Sequence, residues 1–139
     1  MPESARARAA GAAEANAKFR AELGVMVHFE VAQAQIRPDG RDALDRKVAI
    51  LTANPAVRLR ITGACDERGS DLYDVALGER RAAAVKRYLV EKGIAVARLD
   101  EASVGEQSPV DAGSGETAWA RNRRAEFVIV SGDMPLAMK

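Results

Sequence analysis

Asp66 and Arg81 are the residues whose types and spacing point to chemistry. Asp66 sits in the charged turn Cys65-Asp66-Glu67-Arg68-Gly69-Ser70, between an apolar strand pattern ending near Gly63 and a long helical pattern opening near Leu72. Arg81 lies on that helix, four residues after Leu77 and four before Val85. At 100° per residue this puts its guanidinium on the inward face. An inward guanidinium needs an anion, because an unpaired buried charge is costly. Asp66 is one candidate, and Asp74, seven residues earlier on the same side, is another. The pair could serve a ligand or only each other.

Other chemistries find little support. One histidine, His28, and one cysteine, Cys65, do not make a zinc site or an intramolecular disulfide. Nothing in the pattern sets His28 beside Cys65, so a thiol hydrolase lacks its base, and the chain is read as non-enzymatic without a cofactor. Lys plus Arg number 21 against 20 Asp plus Glu. That balance leaves no footprint for nucleic acid or an anionic membrane. No apolar run approaches the ~20 residues of a membrane span, and no signal peptide is visible in this numbering.

The 139 residues suit one domain, and aromatics at 4% leave the core to Ala, Val, Leu and Ile. Residues 1–24 are Ala-rich and read as a linker or solvated helix, with the domain over 25–131 and a tail over 132–139. Val25, Val27, Phe29 and Val31 alternate with Met26, His28 and Glu30, a half-buried strand. A helix is expected from Pro38, carrying Ala43, Leu44, Val48, Ile50 and Leu51, to Asn54-Pro55, which ends it. Val57 to Gly63 alternates again. This strand–helix–strand order predicts two parallel strands joined by a right-handed crossover. The second helix spans about Leu72 to Glu91, with Tyr73, Leu77, Ala84, Val85 and Tyr88 facing inward and Gly93 as its stop. Leu99 to Gly105 is a third strand. Thr117 to Asn122 is a helical turn, and Arg124 to Ser131 is a last strand, apolar on both faces, which suits an interior position.

Several of these segments together carry a resemblance. Gly63-Ala64-Cys65-Asp66-Glu67-Arg68-Gly69-Ser70, then Tyr73-Asp74, then Leu77-Gly78-Glu79-Arg80-Arg81-Ala82, resembles the signature of the OmpA-like C-terminal domain. Phe29 to Pro38 resembles that family's opening strand and loop, and Ser103-Val104-Gly105-Glu106 with Pro109-Val110 its Gly-Glu-x-x-Pro segment. Trp119 to Glu126 resembles its closing Asn-Arg-Arg start of a strand. The wording is nearest the peptidoglycan-associated lipoprotein branch, and the match covers about Val25 to Ser131.

The resemblance implies an α/β (α+β) two-layer sandwich, with a mixed four-stranded sheet, two main helices and βαβαββ order. It implies non-covalent binding of peptidoglycan through the diaminopimelate of its stem peptide, in the periplasm beside the outer membrane. Other envelope proteins are further partners, and any membrane attachment is through an anchor. Asp66 and Arg81 match the family's gripping pair, and Cys65, Tyr73, Asp74, Glu30 and Arg124 complete the ligand site. The ligand end carries an ammonium and a carboxylate on one carbon; an Asp can take the first and an Arg fork the second. The chain departs from the family pattern at Ala64 (usually His), Cys65 (Thr or Ala), Asp74 (Asn), and Glu30 and Ala32 (both Asp). Asp74 adds negative charge near Arg81. The alternative these departures raise is a domain that keeps the fold but serves protein contacts.

Overall fold

The computed structural model describes residues 16–30, 32–64, 71–105 and 120–132. Residues 16–24 form a helix, α1, followed by β1 (Val27–His28), α2 (Pro38–Ala53), β2 (Arg58–Ala64) and α3 (Asp71–Glu91). A 3-10 turn at Val96–Arg98 leads into β3 (Leu99–Gly105), and a helical turn at 120–122 precedes β4 (Arg124–Ser131).

Local chemistry sets these boundaries. Pro38 occupies the start of α2, where its missing N–H costs nothing, and Asp39 accepts from the Gly40 amide at 3.0 Å. The other end of α2 is closed by Arg98, which donates to the carbonyls of Leu51 (2.9 Å), Asn54 (2.8 Å) and Val57 (3.0 Å). That satisfies acceptors a helix terminus leaves open. Gly93, at φ +103°, makes the left-handed exit from α3.

The four strands form one sheet in the order β1-β4-β2-β3. β2 runs parallel to β3, while β4 is antiparallel to both β1 and β2. The expected crossover is therefore modified: β1 and β2 point the same way, but β4 lies between them. Leu59, Ile61, Ala125 and Phe127 face a core shared with Leu44, Leu51, Val85 and Leu89 of the helices. Leu23 of α1 is buried in the same core and Phe19 packs against it, so the segment read as a linker or solvated helix is helical over 16–24 and contributes to the packing.

Two expectations are corrected. The strand expected over Val25 to Val31 pairs only at Val27 and His28, opposite Ala125 and Arg124. Its partner β4 begins at Arg124, so only the Phe29 amide continues the pairing, to the Arg123 carbonyl at 2.9 Å. Val31 lies outside the described residues. β4 is interior in the sheet, yet Val128 and Val130 are 53% and 37% exposed. The helices cover one face only and leave the other to water.

Candidate functional site

Sheet register brings the site to one edge. Ala64, the last residue of β2, pairs with Gly105 at the end of β3 and with Arg124 at the start of β4, which also faces His28. Two glycines draw α3 onto this edge. A Cβ on Gly63 would stand 1.8 Å from the Gly78 carbonyl oxygen, and one on Gly78 would stand 2.3 Å from Ser103 Oγ. No other residue permits so close a helix–strand approach. One turn beyond Gly78, the approach delivers Arg81.

Arg81 is fully buried. Its Nε donates to the Gln33 carbonyl at 2.8 Å, Nη1 to the Ala64 carbonyl at 2.9 Å and Nη2 to the Glu30 carbonyl at 3.1 Å. The Phe29 ring lies 5.2 Å from the guanidinium carbon. Arg81 thus ties α3 to the end of β2 and to both sides of the 30–33 turn. The inward direction read from the helix spacing holds, but three of the acceptors are backbone carbonyls rather than a carboxylate.

The turn that Arg81 holds is strained. Ala32 has φ +58°, in the left-handed region that a Cβ disfavours, and the Gln33 amide returns to the Glu30 carbonyl at 3.1 Å. Asp or Asn would tolerate this conformation better than Ala does, so the departure at Ala32 has a structural cost.

The remaining expected site residues divide. Glu30 is exposed, and its carboxylate stands 3.6 Å from Arg37. Arg124 is buried, its Nε donating to Glu126 at 2.6 Å and its Nη1 to the Asn122 carbonyl at 3.3 Å, which pins the start of β4. Tyr73 is 44% exposed, not part of the buried stripe expected for α3. That stripe runs instead through Leu77, Gly78, Arg81, Ala82, Val85 and Leu89. Asp66 and Cys65 lie outside the described residues, as does the Glu106 to Pro109 segment. Asp74 is placed on α3, and only its backbone is described.

Arg123 and Ser103 have roles here that their sequence positions do not display. Arg123 reaches the Phe29 carbonyl at 3.0 Å, and Ser103 Oγ donates to the Val75 carbonyl at 2.8 Å, locking β3 to α3. Burial, reinforced by Arg37 and by Arg124 and Arg123, pushes the His28 imidazole below its ordinary pKa, although Asp39 opposes this. The edge is therefore built from fixed cations. Among the described residues no cluster of ligands could hold a metal.

A two-layer α+β domain with a guanidinium set at the ends of its parallel strands is the class this geometry defines. The chain belongs to the OmpA family, which it matches over residues 28–123. It is 45% identical over 100 residues to the peptidoglycan-associated lipoprotein of Pseudomonas putida, covering 72% of this chain and 60% of that protein. With its counterpart in Haemophilus influenzae it shares 41% over 99 residues, covering 71% and 65%. The crystal structure of the peptidoglycan-associated lipoprotein from Burkholderia pseudomallei superposes with a TM-score of 0.73 at 35% identity, over 75% of this chain and 88% of that one. The C-terminal domain of Helicobacter pylori MotB shares the fold alone, at 22% identity and a TM-score of 0.71 over 77% and 84% of the chains. The chain spans about three-fifths of the length of the Pseudomonas relative.

Proposed function

We propose that this domain binds peptidoglycan without catalysis, gripping the diaminopimelate of the stem peptide between Asp66 and Arg81. The observation that carries the reading is the placement of Arg81. Its guanidinium is fixed where β1, β2 and β3 end and β4 begins, under a strained turn. A pre-set fork of this kind binds a carboxylate with little reorganisation. Asp66 takes the ammonium of the same carbon, and the amides at the start of α3 add donors. Cys65, Tyr73, Asp74, Glu30 and Arg124 surround or support the grip. The relatives' name, peptidoglycan-associated lipoprotein, supports the same reading. It also supports a periplasmic place beside the outer membrane, with other envelope proteins as further partners. No described helix is long and apolar enough to cross a membrane, so attachment to the membrane is assigned to an anchor outside this domain.

One observation favours the alternative of a domain kept for protein contacts. Arg81 is fully buried and bonded to three carbonyls, which alone would justify it as a structural pin. Sedimentation with purified diaminopimelate-containing sacculi separates the two. The binding reading expects the wild-type chain to pellet with sacculi and Asp66→Ala to stay in the supernatant with a native circular dichroism spectrum. A wild-type chain that ignores sacculi, or an Asp66→Ala variant that pellets as well as wild type, would sink the assignment.

A further inference from the structure

The loop between β1 and α2 opens a groove that borders the proposed grip at Glu30 and extends beyond it. It encloses about 720 Å³ and is lined by Glu30, Gln33, Gln35, Arg37 and Arg41 among others. A second hollow of about 350 Å³ shares Gln35, Ile36 and Arg41 with it and continues toward Arg87 and Tyr88 on α3. The two form one path around the loop. It starts at Glu30 and Gln33, the residues whose carbonyls Arg81 holds. The strained Ala32 between them is kept in place by the same guanidinium. The groove is thus a built surface, continuous with the proposed grip.

Its charges are unequal. Arg37 is paired with Asp39 at 3.1 Å and with Glu30 at 3.6 Å. Arg41 is exposed and donates to the Ile36 carbonyl at 3.2 Å, with no ion pair among the described residues. It stands in the first turn of α2, where the helix dipole adds positive potential. Both hollows border it. Glutamine amides nearby suit the amide bonds of a peptide.

In the stem peptide, the residue before the diamino acid is a glutamate linked through its side chain, which leaves its α-carboxylate free. We propose that this groove receives the stem peptide on the sugar side of the diamino acid, and that Arg41 takes that free α-carboxylate. The proposal rests on the peptidoglycan reading above and adds a second anchor to it. It makes the domain selective for stem peptides whose glutamate is unmodified.

The test is calorimetric titration of the 139-residue chain with two tripeptides. One is L-Ala-γ-D-Glu-meso-diaminopimelate, and the other is the same peptide with the glutamate α-carboxylate amidated. An exposed charge pair predicts that wild type prefers the free acid by about threefold to fivefold. Arg41→Ala and Arg41→Gln should lose that preference while binding the amide as wild type does. Equal wild-type affinity for the two peptides, or a preference that survives both substitutions, overturns the role of Arg41 and leaves the grip standing. Binding of neither peptide by wild type overturns the grip as well.

Discussion

Lys47 and Arg81 are both fully buried cations, and they differ in what surrounds them. Lys47 on α2 donates to the carbonyls of Glu22 (2.9 Å), Leu23 (2.9 Å) and Val25 (2.6 Å), with its ammonium 4.1 Å from the centre of the Phe127 ring. Arg81 on α3 likewise meets three carbonyls beside the ring of Phe29. Lys47 closes the end of α1, whose last carbonyls it gathers. Arg81 closes the 30–33 turn at the edge where a groove opens. Burial pushes the Lys47 pKa down to about 7, with Glu22 opposing and Arg46 adding to the fall. An arginine stays charged throughout. In this domain a buried cation on carbonyls fastens two separate places, and location and permanence of charge set Arg81 apart from Lys47.

Replacing each cation by methionine should have the largest effect. Arg81→Met leaves three carbonyls without their donors and should cost about 3 kcal/mol in urea unfolding, with loss of sacculus binding. Lys47→Met should cost about 2 kcal/mol and leave binding at wild-type level under conditions where the variant is folded. Loss of binding in both would show that the two cations are equivalent after all.

Titration sharpens the contrast. The unfolded chain holds the Lys47 proton up to its ordinary value of 10.5, and the folded chain releases it near 7. Between those values the unfolded state binds more protons, so stability rises as pH rises from about 7 toward 10. Below 7 this contribution is flat. Denaturation midpoints at pH 7 and pH 9.5 should show the rise in wild type and in Arg81→Met, and a weaker one in Lys47→Met. An unchanged slope in Lys47→Met would assign the proton to another group.

A smaller effect is expected at the strained turn. Ala32→Asn suits the left-handed conformation and should raise stability by about 0.5 kcal/mol, while β-branched Ala32→Val should lower it by about 1 kcal/mol. Thermal melts of the two variants check the order, and a more stable valine variant would remove strain from the account.

Much of the scaffold is legible in the chain because local punctuation marks it. Pro38, Asn54-Pro55 and Gly93 bracket the helices, and β3 and β4 occupy the spans expected for them, Leu99 to Gly105 and Arg124 to Ser131. Arg81's inward position follows from helical spacing. Lys47 carries the same signal, four residues after Ala43 and four before Leu51, but a lone lysine on an apolar stripe reads as its edge. What the chain does not display is the identity of the acceptors. Backbone carbonyls have no residue type, and the carbonyls of Glu30, Gln33 and Ala64 are brought together only by long-range packing. The short β1 is hidden for a related reason, since its length is set by where β4 begins. The groove beside Arg41 is made by a loop and two helices, none of which shows it alone.

The central claim is that Arg81 and Asp66 read the carboxylate and ammonium at the free end of the diamino acid. Calorimetric comparison of L-Ala-γ-D-Glu-meso-diaminopimelate with L-Ala-γ-D-Glu-L-Lys tests it most directly, because lysine carries the side-chain ammonium without the second carboxylate. Saturable binding of the diaminopimelate peptide by the wild-type chain is expected, and none of the lysine peptide at the same concentrations. Equal heats for the two peptides, or none for either, would contradict it.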